Sequence, residues 1–313
     1  MPDHICRPGQ ERFVAPSVQP VVVDAVDESV QPLGFWGTAW KALRRKPTFV
    51  LSAAMIAVVI VVCLVPGLFT GHSPHACTTD DSLLGPSGTH WFGTDIQGCD
   101  IFARTIYGAR ASVTVGLTSS LLVFVVGGIL GVAAGFMGGW LDVLISRVSD
   151  VFFALPLILA AIVILQMFPE RSVWTVVAVL ATFGWPTTAR ITRSATLSVR
   201  SAEFITASRA LGASRWRIMV THVIPNVLGP VIVVSTLSLG AFIVAESTLS
   251  YLGIGLPSTA VSWGIDISSG QNLLRAGDPI LLYPAGALAL TVLSFMMMGD
   301  ALRDALDPKA RTL

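Results

Sequence analysis

Residues 201–226 read SAEFITASRALGASRWRIMVTHVIPN, a stretch too polar to cross a bilayer although long apolar runs flank it on both sides. It carries Arg209, Arg215 and Arg217 within helix-forming sequence, with one glycine midway and one proline near its end. The stretch therefore predicts a basic helical hairpin that projects from the membrane between two spans.

The hairpin divides into two short helices. One face of the first helix carries, at helical spacing, Phe204, Ala207, Ser208 and Leu211. Gly212 is expected to end this helix, because glycine adopts the left-handed conformation at little cost. Ser214 is then placed to cap a second helix, which we expect Pro225 and Asn226 to end before the next span.

The composition favours an integral membrane protein over a soluble domain. Of 313 residues, 53% are hydrophobic and 12% are charged, whereas soluble domains carry about a quarter charged residues. A net charge of +1 argues against a nucleic-acid-binding protein that relies on phosphate contacts. The residues before the first apolar run, which begins near Phe49, show no secretory signal.

Alternating apolar and polar segments predict an all-α protein with six transmembrane helices. A disordered cytoplasmic tail, 1–33, and a basic segment, 34–48, precede the first predicted span, 49–69. An extracellular loop, 70–111, leads into a core, 112–311, that holds five further spans and the hairpin. Those spans are predicted at 112–136, 144–168, 173–188, 227–249 and 280–298, and tilting accommodates their different lengths.

Basic residues predict the orientation, because they accumulate in cytoplasmic loops. The cluster between Lys41 and Lys46 should hold the start of the first span inside the cell. Alternation then places the hairpin and both termini in the cytoplasm. The arginines that fall outside are fewer: Arg104, Arg110, Arg171 and Arg275.

Physical reasoning leaves two interpretations of the hairpin open. In the first, it rests on anionic lipid, with Trp216 and the arginines as anchors. In the second, it docks into a cytoplasmic partner protein, because small residues such as Ala207 and Ala213 permit close approach.

Few charged residues fall in or near the predicted spans. Arg147 and Asp150, three residues apart, are expected to neutralise each other. Glu246, near the outer end of the fifth span, has no obvious local partner. It is a candidate for lining the translocation path or for capping a neighbouring helix. A stripe of small residues that favours close helix packing is formed by Gly127, Gly131, Gly135 and Gly139.

The extracellular loop holds Cys77 and Cys99, which we expect to form a disulfide on the oxidising side of the membrane. Closing a loop of this size contributes about 3 kcal/mol in the chain-entropy model. His72, His75 and Cys77 have ligand-like spacing, but we favour a solvated loop and predict no metal site.

The sequence lacks the short motifs that are typical of nucleotide hydrolases, zinc proteases and serine hydrolases. It has no phosphate-binding GxxxxGK[ST] loop, and neither an HExxH nor a GxSxG motif. We therefore predict no catalytic residue and no cofactor bound by this chain. If ATP drives the protein, another polypeptide must hydrolyse it.

Several motifs resemble ATP-binding-cassette (ABC) importer permeases of the dipeptide/oligopeptide branch, and in particular their C-type permease subunit. The run Thr206-Ala207-Ser208, followed by Gly212 and by HVIP at 222–225, resembles the EAA loop. In that family the loop forms a coupling helix, which sits in a groove on the ATPase. Other similar stretches are 90–117, 138–156, 246–264 and 299–311, which begin HWFGTDIQGCD, GGWLDVLISR, ESTLSYLGIG and GDALRDALDP.

The resemblance implies a type I ABC importer permease fold in a bacterial plasma (inner) membrane. The subunit would form half of a translocation pathway for oligopeptides or dipeptides. Its implied partners are a second homologous permease, two ATPase domains that bind ATP and magnesium, and an extracellular or periplasmic solute-binding protein. The implied coupling residues are Glu203, Thr206, Ala207, Ser208, Leu211, Gly212, Ala213 and Ser214. Import of nickel or glutathione, and a stand-alone channel, are the alternatives.

Three positions depart from the family pattern, one of them Met296, which replaces an asparagine that is common in the family. Thr206 stands where the EAA loop usually has glutamate, so no acidic contact with the ATPase is implied there. Cys99 interrupts the usual GRD sequence, which here reads Gly98-Cys99-Asp100.

Overall fold

A computed structural model describes residues 35–275 and 277–306. The predicted tail 1–33 lies outside these residues, as do Lys309 and Arg311. The chain forms two compact units, 1–38 and 39–313. Of the first unit, the structure describes only residues 35–38, which form the start of helix α1, Phe35–Leu43. All features below belong to the second unit.

The described residues are helical, with one isolated β-bridge and no strand. The helices after α1 are α2 Pro47–Leu64, α3 Ile101–Met137, α4 Gly139–Phe153, α5 Leu157–Leu165, α6 Val173–Arg200, α7 Glu203–Ala210, α8 Arg215–Ile218, α9 Ile224–Tyr251, α10 Trp263–Arg275 and α11 Leu282–Leu306. Short 3₁₀ turns occupy Pro66–Leu68 and Thr79–Asp81, and a π-helical segment, Met219–Val223, joins α8 to α9. This architecture confirms the predicted all-α membrane fold.

Four helical segments in the described part of the chain are long and apolar enough to cross a membrane. They are α2, α3, the continuous run Arg215–Tyr251, and α11. The pair α4–α5, bent by 80°, makes a fifth if it counts as one broken span. Helix α6, which contains the predicted span 173–188, does not reach this threshold. The second half of α6 carries Arg190, Arg193 and Arg200, so only its first half is apolar.

The predicted span 144–168 is not one straight helix. It divides at Ala154–Pro156 between α4 and α5. Proline has no N–H to donate to the preceding turn and its ring crowds that turn, so the helix breaks here and restarts after Pro156.

Helix α3 begins at Ile101, eleven residues before the predicted start of its span. The Asp100 carboxylate caps it, with Oδ1 accepting from the Phe102 N–H at 2.9 Å. Its 37 residues extend about 55 Å at 1.5 Å per residue, well beyond a bilayer core of about 30 Å. The helix therefore reaches from the predicted extracellular loop to the hairpin.

Helices α3 and α6 run parallel and in very close contact. A Cβ atom added to three glycines of α3 would lie 2.5–2.8 Å from the Cβ of a threonine on α6. These pairs are Gly127 with Thr188, Gly131 with Thr192, and Gly135 with Thr196. The predicted stripe thus packs within the chain. Gly139 falls outside it, because it begins α4 at a φ of +62°.

The second helix of the hairpin does not end at Pro225 and Asn226 as predicted. It continues through the π-helical segment into α9, so residues Arg215–Tyr251 form one helical run. Pro225 lies in the first turn of α9, where a missing N–H is tolerated. The Asn226 side chain donates to the His222 carbonyl at 2.7 Å, one turn earlier in the chain.

Candidate functional site: the hairpin and the polar contacts at the opposite end

The hairpin helix α7 is fixed to the rest of the chain by a single buried side chain. Ile205 is fully buried and packs in a cluster with Ile218, Val223 and Val227 from the following helical run. Ile205 was not among the residues predicted from the sequence. The signal was present, because Ile205 is the only β-branched aliphatic residue in the sequence of α7, EFITASRA.

Polar and aromatic contacts brace α7 against the π-helical segment. Ser208 Oγ lies 3.4 Å from Nε2 of His222, and the Phe204 ring meets the same imidazole edge-on at 6.2 Å between centroids. The intervening turn closes through the Ala213 N–H, which donates to the Ser208 carbonyl at 3.1 Å. Both contacts converge on His222, which lies in the π-helical segment directly before α9.

The two hairpin helices end and begin at the residues expected from the sequence, Gly212 and Ser214. Gly212 adopts a φ of +79° after the end of α7, in the left-handed region that favours glycine. The Ser214 hydroxyl accepts from the Arg217 N–H at 3.3 Å and caps α8.

Most of the predicted coupling residues face outward. Ser208 and Ala213 are half-buried, since they form the brace and the closing turn. Leu211 is 88% exposed. The other exposed members are Glu203, Thr206, Ala207, Gly212 and Ser214. The hairpin thus presents a surface that no described residue of this chain covers.

A cavity of about 530 Å³ opens beside the hairpin, between the ends of α3 and α6 and the start of α8. Arg200, Arg209 and Arg215 line it together with Trp216. The Arg200 guanidinium also donates to the Gly135 carbonyl at 3.2 Å, which joins the end of α6 to the end of α3.

Ion pairs join α4 to α6 at this end of the molecule. Asp142 binds the Arg193 guanidinium through both carboxylate oxygens. The predicted pair of Arg147 and Asp150 is present at 3.8 Å, but Arg190 approaches Asp150 more closely, at 3.2 Å. Arg190 also stacks over the Phe153 ring. Sequence reasoning missed the pairs with α6, because 40 or more residues separate their partners.

Glu246 is fully buried near the other end of α9. Its carboxylate accepts from the Ser250 hydroxyl at 2.7 Å and from the Ser247 hydroxyl at 3.3 Å. Ser250 in turn accepts from the Leu256 N–H at 3.2 Å. The carboxylate thus supports the loop that follows α9, and its role in a translocation path stays a prediction.

A second carboxylate lies in the contact between α3 and α10. Asp266, on α10 and outside the candidate spans, accepts from Arg104 Nε at 2.8 Å. Burial raises the pKa of Asp266 to about 6, although the Arg104 charge opposes this rise. Trp263 strengthens the same contact by donating its indole N–H to the Thr105 carbonyl at 2.9 Å.

The loop between α2 and α3 is closed by a covalent bond. Cys77 and Cys99 form a disulfide, which leaves Cys63 as the free cysteine among the described residues. Because its sulfur is in the disulfide, Cys77 has no thiolate for a metal set with His72 and His75.

Comparisons with known proteins agree with this architecture. Residues 127–312 match the family described as "Binding-protein-dependent transport system inner membrane component". Residues 34–86 match the "N-terminal TM domain of oligopeptide transport permease C".

Curated relatives cover almost the whole chain. The dipeptide transport system permease protein DppC of Alkalihalophilus pseudofirmus is 37% identical over 88% of this chain and 91% of its own length. The oligopeptide transport system permease protein OppC of Bacillus subtilis is 34% identical over 92% of this chain and 94% of its own length. The glutathione transport system permease protein GsiD of Pectobacterium atrosepticum is 33% identical over 88% of this chain and 92% of its own length. The resemblance inferred from the motifs is thereby confirmed, and the chain belongs to the family of inner-membrane permease components of binding-protein-dependent transport systems.

Proposed function

We propose that this permease imports short peptides and that its hairpin is the surface through which ATPase subunits drive it. The observation that carries the proposal is the braced hairpin. Helix α7 is held by Ile205 and His222, while Leu211 and its neighbours stay exposed. A rigid element with an uncovered apolar residue suits docking into a protein groove.

The coupling follows from the continuity of the helix behind the hairpin. A push on α7 passes through His222 into the run Arg215–Tyr251. That run ends beside Glu246 and the loop it supports. ATPase closure would therefore rock α9 as a rigid element and alter the packing at its far end.

The proposed assembly contains subunits that supply what this chain lacks. A second, homologous permease completes the translocation pathway, and a solute-binding protein delivers the substrate. Two ATPase domains hold ATP and magnesium, since this sequence has no phosphate-binding loop.

The proposed orientation places the hairpin and both termini in the cytoplasm. Lys46, just before α2, forms an ion pair of 3.1 Å with Asp304 near the end of α11. This contact supports placing the two ends of the described membrane domain on the same side, as an even number of crossings requires. The basic residues of the hairpin favour the cytoplasmic side.

Short peptides are the proposed substrate because of the relatives' names, which specify dipeptide, oligopeptide and glutathione transport. Glutathione is itself a small peptide, so a pathway for compact peptides accommodates all three. Uptake of labelled dipeptides, pentapeptides and Ni²⁺ by proteoliposomes containing the assembly would test this. Uptake of Ni²⁺ alone would overturn the peptide proposal.

The coupling proposal is tested by charging the exposed face of the hairpin. The tagged chain is purified from its native host in mild detergent, and copurifying ATPases are assayed for substrate-stimulated hydrolysis. In Leu211→Asp we expect stimulation and ATPase recovery to fall by about tenfold or more, as for a lost interface anchor worth at least 1.4 kcal/mol.

A matched control is Leu84→Asp, which charges a leucine that is also exposed, at 43%, but lies in the loop between α2 and α3. It should behave like the wild type. Equal loss in both variants, or wild-type behaviour of Leu211→Asp, would contradict docking through the hairpin and favour a hairpin that rests on lipid.

A further inference from the structure

Two histidines and one carboxylate converge where the disulfide-closed loop meets the start of α3. The ligand atoms of His72, His90 and Asp100 all lie within 4.8 Å of one another. We propose that these three residues bind a divalent transition-metal ion such as Zn²⁺, which ties the loop to the first turn of α3.

Asp100 has one carboxylate oxygen available for this purpose. Its Oδ1 accepts from the N–H groups of Phe102 and Ala103 and caps α3. Its Oδ2 faces Nδ1 of His90 at 3.5 Å. Two ligand atoms on a tetrahedral Zn²⁺ are separated by about 3.4 Å, given metal–ligand distances of about 2.0–2.2 Å. The separation of His90 and Asp100 therefore matches one edge of a zinc site.

His90 Nδ1 is a buried atom without a hydrogen-bond partner in the described part of the chain. The nitrogen is close to Asp100 Oδ2 but poorly aligned for a hydrogen bond. Leaving a buried polar atom unpaired is unfavourable, and such atoms require an explanation. A cation between the nitrogen and the carboxylate would satisfy both groups.

His72 supplies the third ligand from an exposed position. Its side chain is exposed, and its ring centroid lies 5.4 Å from that of His90. Coordination would require this exposed ring to move closer to the other two ligands, because the separations within the cluster reach up to 4.8 Å.

The surrounding backbone holds the segment of His72 beside Asp100. The disulfide joins Cys77 to Cys99, the residue before Asp100. Gly98 approaches Thr78 so closely that an added Cβ would lie 1.8 Å from the Thr78 carbonyl oxygen. These contacts preorganise the site, since they bring residues 77–78 against 98–99.

The donor set selects the class of cation. Two imidazole nitrogens and one carboxylate oxygen suit Zn²⁺ and neighbouring divalent transition metals. Ca²⁺ and Mg²⁺ prefer sites built from oxygen ligands alone. Three protein ligands leave at least one position for water.

The proposal is tested by metal binding to the full-length chain, purified in detergent through a tag without histidine. After removal of metal with EDTA, Zn²⁺ is added in competition with a chromogenic chelator, and native mass spectrometry counts bound ions. We expect one Zn²⁺ per chain in the wild type. Affinity should fall by at least about tenfold in His72→Gln, His90→Gln and Asp100→Asn, by comparison with losses of 10–100-fold for residues that merely support metal ligands.

Two features of the variants separate metal binding from folding. Asp100→Asn keeps a good N-cap residue for α3, so helix stability should change little while metal affinity falls. His75→Gln is the matched control, because His75 is an exposed histidine of the same loop outside the cluster. It should bind Zn²⁺ like the wild type.

Three outcomes would overturn the proposal. One is a wild-type chain that binds no Zn²⁺ at micromolar concentration. Another is equal affinity in the wild type and His90→Gln. The third is an equal loss in His75→Gln, which would assign the metal to a different set of loop histidines. None of these outcomes bears on the transport role, because none of the three ligands belongs to the hairpin.

Discussion

The two ends of the membrane domain hold their connecting segments by different means. At the hairpin end, α7 is attached through the buried Ile205 and the contacts to His222, and its outer face is uncovered. At the opposite end, a disulfide closes the loop between α2 and α3, while Arg104–Asp266 and Glu246–Ser250 fasten α10 and the neighbouring loop. The hairpin end thus relies on a small apolar anchor and an open surface, and the other end on buried polar and covalent links.

This difference suits the proposed division of work. A hairpin that receives a push from another subunit needs internal stiffness and a free face. Loops around a substrate entrance need a defined shape, which buried ion pairs and a disulfide provide. Four predictions test the contrast.

The largest effect is expected from Ile205→Ala, which removes the only buried side chain of α7. Large-to-Ala changes in a core cost about 2–5 kcal/mol. Hydrogen exchange should show loss of protection in residues 203–214, with α3 and α10 little changed. Thr206→Ala at the exposed neighbouring position is the control and should show little loss. A uniform loss across the domain would contradict the idea of a single local anchor.

Removing the disulfide tests the opposite end. Cys77→Ser combined with Cys99→Ser should destabilise the loop by about 3 kcal/mol, seen as faster proteolysis between α2 and α3 and a lower Tm. Cys63→Ser, which removes the free thiol, serves as a control and should leave both unchanged. If reductant lowers the Tm of the double variant further, a bond other than Cys77–Cys99 is responsible.

Gly212 tests how far the hairpin depends on its turn. The position has a φ of +79°, and an added Cβ would meet no atom within 4 Å. The cost of Gly212→Val is therefore conformational, about 1–2 kcal/mol. Gly212→Asn should cost less, because asparagine tolerates this region. Both variants should insert normally, with transport reduced more in the valine variant. Equal defects would point to lost contact with a partner rather than to backbone strain.

The last prediction concerns pH at the opposite end. The pKa of Asp266 is raised to about 6 by burial, with Arg104 lowering it and Asp95 adding to the rise. Because the folded state holds this proton more strongly than the unfolded chain, Asp266 contributes stability that is present below about pH 4 and lost as pH rises through about 6.

Thermal unfolding of the wild type should therefore gain stability, relative to Asp266→Asn, as pH falls from 7.5 to 4.5. A constant difference between the two proteins over this window would show that Arg104 holds the Asp266 pKa near its ordinary value.

Local sequence signals predicted much of the hairpin. Gly212 and Ser214 act where their backbone and capping preferences place them, because such preferences need only the nearest neighbours. The glycine stripe followed from its four-residue spacing, and the disulfide followed from the predicted topology, which places both cysteines on the oxidising side. The helix break at Pro156 was also visible locally, but the surrounding apolar run masked it.

Other features depend on tertiary contacts that no local pattern reveals. Pro225 normally signals the end of a helix, but the π-helical segment before it and Asn226 beside it let the helix continue. The partners of Asp142, Asp150 and Asp266 lie on other helices. Glu246 finds its serines only one and four residues away, yet its complete burial requires the packing of the whole domain.

The Gly–Thr contacts between α3 and α6 have one further consequence. A motif that repeats every fourth residue cannot define its own alignment, because a slip of one helical turn offers glycine to threonine again. The alignment must be chosen by contacts that do not repeat. Arg200 on the Gly135 carbonyl and Arg193 on Asp142 are such contacts, and both lie at the hairpin end. A slip of one turn would lose both arginine contacts, so these contacts favour the described alignment over its neighbours.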